Sequence, residues 1–507
     1  MTIFKYLATV LAATLVEVIV PPIAIATVAS HPPFATQSVT AIAQPEPTRL
    51  TTLSEQFIMS PAASNTIATN ASLTAEMDAY LQAHYETGRF MGTAIVLQNG
   101  AAVFTQSYGM ASLGHQVPNT PQTKFRIGSI TKQFTAAAIL QLQDRGQLDV
   151  QAPVSNYLPD YPQGDLITIH HLLTHTAGIP NLTSFPDYPE WMQQPTTLAE
   201  LMARFQDLPL EFEPWEQYRY SNSGYVLLTQ IIETVSGQAY ADYLQEHLFI
   251  PLGLENTGYE QPLTVINGLA NGYVFTGEDY QQAEYINMAV PAGAGGLYST
   301  VGDLARWNQF LFEGDRPDGI LSAAAIAAMT SPQAPIGAEA PDLFYGYGLI
   351  VNERREHRRI GHAGGINGFV SSLGGSPDLE TTIAVLSNVA NADAPGIAEG
   401  LAAILQGEPY ELPSQPAAIA LEPAVLARAV GTYQVTPEFQ ISITVEADHL
   451  QVQGTGQPAI PIYAVSETEF FARVIEFRLV FNTASDGTVE SATLFQNGQE
   501  LPAPKVD

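Results

Sequence analysis

Apolar and polar positions alternate along this chain in a pattern that predicts a mixture of helices and strands. From Leu73 onward apolar residues recur at helical spacing, and two strand-like runs follow at 92–98 and 102–108. Asn99-Gly100 stands between these runs, and this dipeptide favours the tight turn of a two-residue β-hairpin. The folded part of the chain is therefore predicted to begin with a helix and a hairpin.

The middle of the chain is predicted to place helices between strands. Helices are expected around Ser129 as far as Gly146, at about 223–236 with an end at Gly237, and at about 302–313, while 151–222 is rich in loops. Strands are expected at 346–351, 356–361, 367–373 and 381–387. A sheet supplied by both ends of this region, with helices between them, predicts an α+β fold with an antiparallel sheet flanked by helices.

The last part of the chain has a different texture. Residues 408–422 are rich in proline and alanine and are predicted to form a linker. Beyond them, short alternating runs predict strands at 439–446, 449–454, 459–465, 469–482 and 488–496, with turns at Asp486-Gly487 and Asn497-Gly498. About 85 residues of hairpins predict a small, closed or nearly closed β-barrel over 423–507.

The first residues do not read as part of the fold. Lys5 precedes an apolar run, and Ala41-Ile42-Ala43 resembles a cleavage site, so 1–43 is predicted to be an export signal. A cut after Ala26 or Ala29 also fits. The alternative is an uncleaved membrane anchor, which Glu17 and the Pro21-Pro22 pair disfavour. The mature protein is then expected to be periplasmic or extracellular, with a linker at 44–70 and a first domain at 71–407.

Composition narrows the possible partners. The chain has 507 residues, 46% of them apolar and 14% charged, which indicates a globular protein with more than one domain. Its net charge of −31 argues against nucleic acids and anionic membrane surfaces, because binding to either depends on basic patches. The absence of cysteine excludes disulfides, a thiol nucleophile and cysteine-ligated zinc.

One short segment carries candidate chemistry. Ser129 and Lys132 are three positions apart on a predicted helix, so their side chains share one face of it. An amine held in apolar surroundings loses stabilisation of its charged form, and we expect the pKa of Lys132 to fall toward neutrality. Lys132 can then take the proton from Ser129 and make the serine a nucleophile. The alternative is a chance Ser-x-x-Lys on a solvated helix face.

Two further clusters could complete such a site. Tyr220-Ser221-Asn222 offers a hydroxyl that can relay protons and an amide that can hold a substrate carbonyl and fix the lysine. The run Gly361-His362-Ala363-Gly364-Gly365 allows a close approach of backbone to a ligand, so that an N–H there can form half of an oxyanion hole, with His362 facing the substrate. Taken singly, these clusters also fit a packed aromatic turn and an ordinary glycine-rich strand end.

In this order the three segments resemble the β-lactamase-like serine hydrolases. That superfamily includes class C β-lactamases, penicillin-binding proteins of the DD-peptidase type, carboxylesterases and D-aminopeptidases, and its pattern is Ser-x-x-Lys, Tyr-x-Asn and Lys/His-x-Gly. The resemblance covers about residues 73–405 and implies an all-helical lobe beside the sheet, followed by a small lipocalin-like domain. It implies these roles: Ser129 as nucleophile, Lys132 and Tyr220 as acid/base, Asn222, His362 and Gly364 at the substrate, and the N–H groups of Ser129 and Gly365 as oxyanion hole.

The third motif departs from the form that binds substrate carboxylates. Relatives with that specificity usually present Lys-Thr-Gly or Lys-Ser-Gly, where this chain has His362-Ala363-Gly364. A histidine is mostly neutral at pH 7, and Ala363 has no hydroxyl. We therefore expect an exported hydrolase that uses no cofactor or metal and cleaves esters or amides in small-molecule or peptide-like substrates. The alternatives are a β-lactamase or D-Ala-D-Ala carboxypeptidase, and a catalytically inactive binding protein that reuses the pocket.

Three other features are interpreted as structural. His171 and His175 have the spacing of a metalloprotease helix, but Leu172 stands where such a motif has glutamate, so we interpret them as buried, hydrogen-bonded histidines. The basic run 354–359 fits a solvated hairpin edge. Trp215, at a position where relatives commonly have glycine, either narrows the pocket or packs, and packing is favoured.

Overall fold

The computed structural model describes residues 61–312, 319–337, 340–354, 357–413, 415–437, 439–496 and 499–506. In this part of the chain two antiparallel sheets of eight strands each dominate the fold. The predicted leader at 1–43 and most of the predicted linker at 44–70 lie outside the described residues. The first described helix begins at Pro61, so it includes the last residues of that linker. Across the described ranges, no helix is both long and apolar enough to cross a bilayer.

The helices lie mainly between the strands of the first sheet. They are α1 Pro61–Glu86, α2 Thr131–Asp144, α3 Ile169–Leu173, α4 Tyr188–Trp191, α5 Leu198–Ala203, α6 Asn222–Ser236, α7 Tyr240–Leu244, α8 Ile250–Leu252, α9 Ala292–Gly295, α10 Val301–Phe312, α11 Ala323–Thr330, α12 Ala394–Gln406 and α13 Pro423–Leu426. Short 3-10 turns occur at Gly128–Ile130, Val154–Asn156, Leu182–Ser184, Pro377–Leu379 and Ala427–Ala429, and a π-helical turn at Gln245–Phe249.

The strands of the first region are β1 Gly92–Gln98, β2 Ala101–Tyr108, β3 Met110–Ser112, β4 Val117–Pro118, β5 Phe125–Arg126, β6 Gly258–Tyr259, β7 Tyr273–Phe275, β8 Tyr280–Gln282, β9 Leu297–Ser299, β10 Ala334–Pro335, β11 Leu343–Tyr345, β12 Ile350–Arg354, β13 His357–Ile366, β14 Phe369–Ser376 and β15 Thr381–Ser387. Those of the last region are β16 Gly431–Thr436, β17 Phe439–Glu446, β18 His449–Gly454, β19 Ile460–Ala464, β20 Glu469–Ala472, β21 Arg478–Thr483, β22 Val489–Gln496 and β23 Gln499–Pro504.

The first sheet joins the two ends of its region, as the sequence predicted. Its order is β10-β11-β12-β13-β14-β15-β1-β2, and β15 pairs with β1 from Ser387 opposite Gly92 to Thr381 opposite Gln98. Helices cover both faces, so side chains of β1 alternate between two cores: Ile95 enters the core that holds α2 and α6, and Val96 enters the core that holds α1 and α12. The predicted α+β class and antiparallel sheet are confirmed.

Several local predictions are also confirmed. Asn99 and Gly100 have φ of 51° and 73°, which is the left-handed pair that a two-residue hairpin turn needs. Helix α6 ends where Gly237 takes a left-handed φ of 71°.

The predicted strand at 346–351 is wrong in its bounds, because Gly348 has φ 71° and makes a turn between β11 and β12. A Cβ atom on Gly348 would lie 2.5 Å from the Lys132 carbonyl oxygen, so this turn is pressed against α2.

The second sheet is the predicted barrel with more strands than expected. Its eight strands follow chain order from β16 to β23, and a bridge between Tyr433 and Lys505 connects the first to the last. The predicted strand at 469–482 is two strands, β20 and β21, and β16 and β23 were missed. Inward side chains such as Phe470 and Leu479 fill the interior. The predicted Asn497-Gly498 turn lies outside the described residues.

A loop of the barrel contacts the first region. The Asn391 side chain donates to the carbonyl oxygens of Phe275 and Val474, at 3.0 and 2.9 Å, and accepts from the Phe275 N–H. Arg473 pairs with Glu278 at 3.2 Å. The Asn391 side chain thus connects the strand β7 to the loop between β20 and β21 through three hydrogen bonds to backbone atoms.

The strand β13 lies directly against the turn that precedes α2. A Cβ atom on Gly364 would be 2.0 Å from the Ile127 carbonyl oxygen, and one on Gly128 would be 2.7 Å from the Gly365 nitrogen. The Ser371 hydroxyl also donates to the Ile127 carbonyl at 2.9 Å. Only glycine lets these two backbones approach so closely.

We expect Gly364→Ala to lower the free energy of unfolding by about 1–3 kcal/mol, because the added methyl must push the turn away from β13. Urea unfolding measures this. Gly114→Ala is the matched control, since a Cβ atom there meets nothing within 4 Å, and it should change stability by less than about 0.5 kcal/mol. Equal effects of the two substitutions would contradict the close approach.

Candidate active site

Ser129 lies where the 3-10 turn Gly128–Ile130 runs into α2. The turn and the helix continue directly, so Ser129 and Lys132 stand one helical turn apart, with Lys132 Nζ 3.0 Å from Ser129 Oγ. Most of α2 is buried, including every residue from Thr131 to Leu142. The pair therefore sits on a central, enclosed helix, and the alternative of a solvated helix face is wrong.

The Lys132 amine is fully buried, and the structure describes three of its hydrogen bonds. Nζ lies 3.0 Å from Ser129 Oγ, 2.8 Å from Asn222 Oδ1 and 2.9 Å from the Ala294 carbonyl oxygen. The two carbonyl oxygens can only accept, so they occupy two N–H groups whether the amine is charged or neutral. The third position faces Ser129, where it holds either an N–H or a lone pair. A proton can therefore pass between Ser129 and Lys132 without any heavy atom moving.

Tyr220 approaches the same hydroxyl from the other side. Its Oη donates to Ser129 Oγ at 2.9 Å, so the serine oxygen lies between a phenol and an amine. Lys132 Nζ is also 4.7 Å from the centre of the Tyr220 ring, a distance at which the ring face stabilises an ammonium. Both candidate acid/base groups named from the sequence thus contact the candidate nucleophile.

Asn222 is the first residue of helix α6, and both polar atoms of its side chain and its backbone N–H are hydrogen-bonded. Its Oδ1 accepts from Lys132, its Nδ2 donates to Thr183 Oγ1 at 3.0 Å, and its backbone N–H donates to Asn181 Oδ1 at 3.0 Å. The loop that carries Asn181 and Thr183 is in turn fixed by Ser223, whose hydroxyl donates to the Pro180 carbonyl. Of the two tasks expected for Asn222, the structure shows the fixing of the lysine directly.

The glycine-rich edge of β13 lies next to the turn that carries Ser129. The strand β12 pairs with β13 only as far as Gly361, so residues 362–366 have one edge that β12 does not cover. Along this edge the Gly365 backbone contacts Gly128, immediately before Ser129. The N–H groups of Ser129 and Gly365 thus belong to adjoining backbone segments, as an oxyanion hole requires.

His362 lies at the site but is turned into the protein. It is 7% exposed, its Nε2 is 3.0 Å from Tyr345 Oη, and its Nδ1 contacts the Ala363 carbonyl. Burial, reinforced by the charge of Lys132, lowers the pKa of His362 to about 4, so the ring is neutral at pH 7. Both ring nitrogens are engaged within the protein, so the expectation that His362 faces the substrate is not what the geometry shows.

Sequence reasoning missed several groups that complete the site. They are the Ala294 carbonyl, Asn181 and Thr183 behind Asn222, and Tyr345 behind His362. His175, interpreted as a buried structural histidine, is 2% exposed and accepts a hydrogen bond from the Ser221 N–H. The Ala294 carbonyl was missed because a backbone acceptor has no signal of its own in a sequence.

His171 and Trp215 lie near each other at the start of α3, with ring centres 6.2 Å apart. His171 is half-buried, and its Nδ1 accepts from the Thr168 N–H at the start of α3. Trp215 is 49% exposed, and its ring centre lies 5.1 Å from that of His170. Trp215 has φ 72°, a left-handed value that accounts for the glycine common at this position in relatives.

Comparison with known proteins shows what this chain is similar to. A family model described as Beta-lactamase matches residues 77–407. Penicillin-binding protein 4* of Bacillus subtilis is 31% identical over 450 residues, which are 84% of this chain and 98% of that one. The octameric penicillin-binding protein homologue from Pyrococcus abyssi has 26% identity and a TM-score of 0.58, over 85% of this chain and 99% of that chain.

A solved amidase is similar to about two thirds of the chain. The D-amino acid amidase from Ochrobactrum anthropi SV3, in its complex with L-phenylalanine, shares 26% identity with a TM-score of 0.58. The match covers 66% of this chain and 98% of the amidase.

Acid should destabilise the fold through His362. The folded pKa of about 4 is below the usual 6.5, so between these values the unfolded chain binds a proton that the folded chain does not. The free energy of unfolding is therefore unaffected by the titration of this group above about pH 6.5. It falls by on the order of 3 kcal/mol as the pH drops toward about 4. Urea unfolding from pH 4 to 7.5 should show a shallower pH dependence in His362→Gln than in wild type. The exposed His115 gives the control, His115→Gln, and a His362→Gln curve parallel to that of wild type would contradict this assignment.

Proposed function

The chain belongs to the beta-lactamase family, and on that premise we propose that it is a serine hydrolase that works through an acyl-enzyme on Ser129. One observation carries the proposal: Ser129 Oγ lies 3.0 Å from a buried amine and 2.9 Å from a phenol. A hydroxyl between two groups able to take its proton is the arrangement of an activated nucleophile. Because the Tyr220 phenol donates to Oγ, it can take the serine proton only as a phenolate, whereas Lys132 can take it directly as a neutral amine.

The proposed reaction has two steps. Ser129 Oγ forms a bond to the substrate carbonyl carbon while its proton passes to Lys132 or Tyr220, and the N–H groups of Ser129 and Gly365 hold the oxyanion. The leaving group departs with a proton returned by the same pair. Water then attacks the acyl carbon, gives up a proton to the pair, and releases the acid product as Oγ is reprotonated. The three partners of Nζ keep the amine in place through both steps.

The substrate is proposed to be an ester or amide that needs no carboxylate beside the cleaved bond. His362 is neutral at pH 7 and bonded to Tyr345, and Ala363 has no hydroxyl, so neither side chain supplies the charge-assisted contact that a carboxylate prefers. The likeness to a D-amino acid amidase supports an amide-type substrate. A D-Ala-D-Ala carboxypeptidase or a β-lactamase remains the second candidate, since the chain is 31% identical to a penicillin-binding protein.

An inactive binding protein is the candidate of another class. Such a protein has no use for an amine and a phenol that both contact one serine, so the geometry favours the enzyme. Export, to the periplasm or the medium, is likewise a proposal from residues 1–43, and N-terminal sequencing of the mature protein tests it. The substrate is proposed to be a small or peptide-like molecule, because the net charge of −31 disfavours nucleic acids.

A substrate panel decides between these candidates. We expect wild type to hydrolyse a p-nitrophenyl ester and a D-amino acid p-nitroanilide with kcat/KM at least about tenfold above that for a chromogenic cephalosporin or a D-Ala-D-Ala peptide, because one charge-assisted contact is worth about that factor or more. Ser129→Ala should abolish every activity, while the control Ser155→Ala, at a half-buried serine that hydrogen-bonds to Asp165, should keep them. A cephalosporin or D-Ala-D-Ala peptide as the best substrate would contradict the specificity. No turnover of any of the four would favour the binding protein.

A further inference from the structure

His175 holds the backbone on both sides of Tyr220. It follows α3 in a left-handed conformation, with φ 58°, and is 2% exposed. Its carbonyl oxygen accepts from the Arg219 N–H at 2.9 Å, and its ring Nδ1 accepts from the Ser221 N–H at 3.1 Å. One residue therefore fixes the two amides that flank the tyrosine.

The same imidazole also packs on the Tyr220 ring. The two ring centres are 4.2 Å apart at an angle of 34°, and Tyr225 and Tyr345 close the other sides of the imidazole, with centres at 5.2 and 4.6 Å. The Tyr220 ring is thus held by a ring that is itself enclosed. Its hydroxyl reaches Ser129 Oγ at 2.9 Å from this fixed position.

Packing alone does not explain a histidine here. Because the Ser221 N–H donates to Nδ1, that nitrogen carries the lone pair, and the proton of the neutral ring is on Nε2. Nε2 is buried and has no hydrogen-bond partner among the residues that the structure describes, which is unfavourable. Phenylalanine would fill the same space without that cost. Burial, together with the charge of Lys132, sets the pKa of His175 well below its usual value, so the ring stays neutral and keeps its acceptor.

We propose that His175 is a positioning residue for the reaction, and that it acts by holding Tyr220 at hydrogen-bond distance from Ser129. The inference rests on the proposed function in one respect, that Tyr220 exchanges a proton with Ser129. His175 has no catalytic role of its own in it, since its Nδ1 is bonded to backbone and its ring is enclosed by aromatic side chains.

A double-mutant cycle tests the proposal. The rate of fluorophosphonate labelling of Ser129 and the kcat for a p-nitrophenyl ester are measured for wild type, His175→Phe, Tyr220→Phe and the double variant. We expect His175→Phe to lower both by about tenfold to a hundredfold, with KM little changed, because a misplaced catalytic group costs that much. In the Tyr220→Phe background the same substitution should change the rates by less than about twofold, since the hydroxyl that it positions is gone.

Two further variants keep the test decisive. His175→Asn retains an acceptor for the Ser221 N–H but loses the ring, and it enters the same cycle in case His175→Phe does not fold. His171→Phe is the matched control four residues earlier, at a side chain that caps α3, and should leave the labelling rate at the wild-type value. Losses of equal size with and without the Tyr220 hydroxyl would overturn the proposal, as would full activity in folded His175→Phe.

Hydrogen exchange gives a readout that does not depend on catalysis. In His175→Phe the Ser221 amide loses its acceptor, so a peptide that spans 216–224 should exchange faster by about tenfold, whereas His171→Phe should leave it unchanged. An exchange rate in His175→Phe equal to that of wild type would refute the proposal that His175 holds this segment. If wild type shows no labelling or turnover at all, the proposed function fails, and the exchange result still decides whether His175 holds this segment.

Discussion

A buried amine held by two carbonyl oxygens is the constraint on which the rest of the site depends. An amine removed from water is unfavourable unless its hydrogen bonds are replaced, and Lys132 Nζ finds its replacements on α6, at Asn222, and on α9, at Ala294. These elements are far apart in the chain, so the lysine is satisfied only when they have come together on α2. The surroundings of Ser129 are therefore complete only in the folded protein.

Close contact between backbones supplies the second half of the site. Gly128 and Gly364 let β13 lie against the turn before α2, and Gly348 lets the β11–β12 turn lie against Lys132 itself. A side chain at Gly128 or Gly364 would separate the strand edge from Ser129, and one at Gly348 would push the β11–β12 turn away from α2. The sheet is thus more than a scaffold, because its edge beyond Gly361 is the part that approaches the nucleophile.

The sequence predicted what depends on local spacing and missed what depends on distant segments. The Ser129 and Lys132 pair, the Asn99-Gly100 turn and the end of α6 at Gly237 each have a short-range signal, and all three were found. The Ala294 carbonyl is backbone and leaves no trace in side-chain chemistry. His175 was predicted to be buried, but its contacts around Tyr220 form only when two segments about 45 residues apart come together. For the same reason β16 and β23, which close the barrel onto each other, were overlooked.

In the proposed reaction Lys132 is the group that activates Ser129. The most direct measurement is fluorophosphonate labelling followed by peptide mass spectrometry, comparing wild type with Lys132→Met, whose side chain has a similar length and no proton to exchange. Lys124→Met controls for the loss of a lysine elsewhere, and urea unfolding shows that each variant is folded. We expect an adduct on Ser129 in wild type and Lys124→Met, and a rate lower by about a thousandfold or more in Lys132→Met. A folded Lys132→Met protein that labels at the wild-type rate would contradict the account.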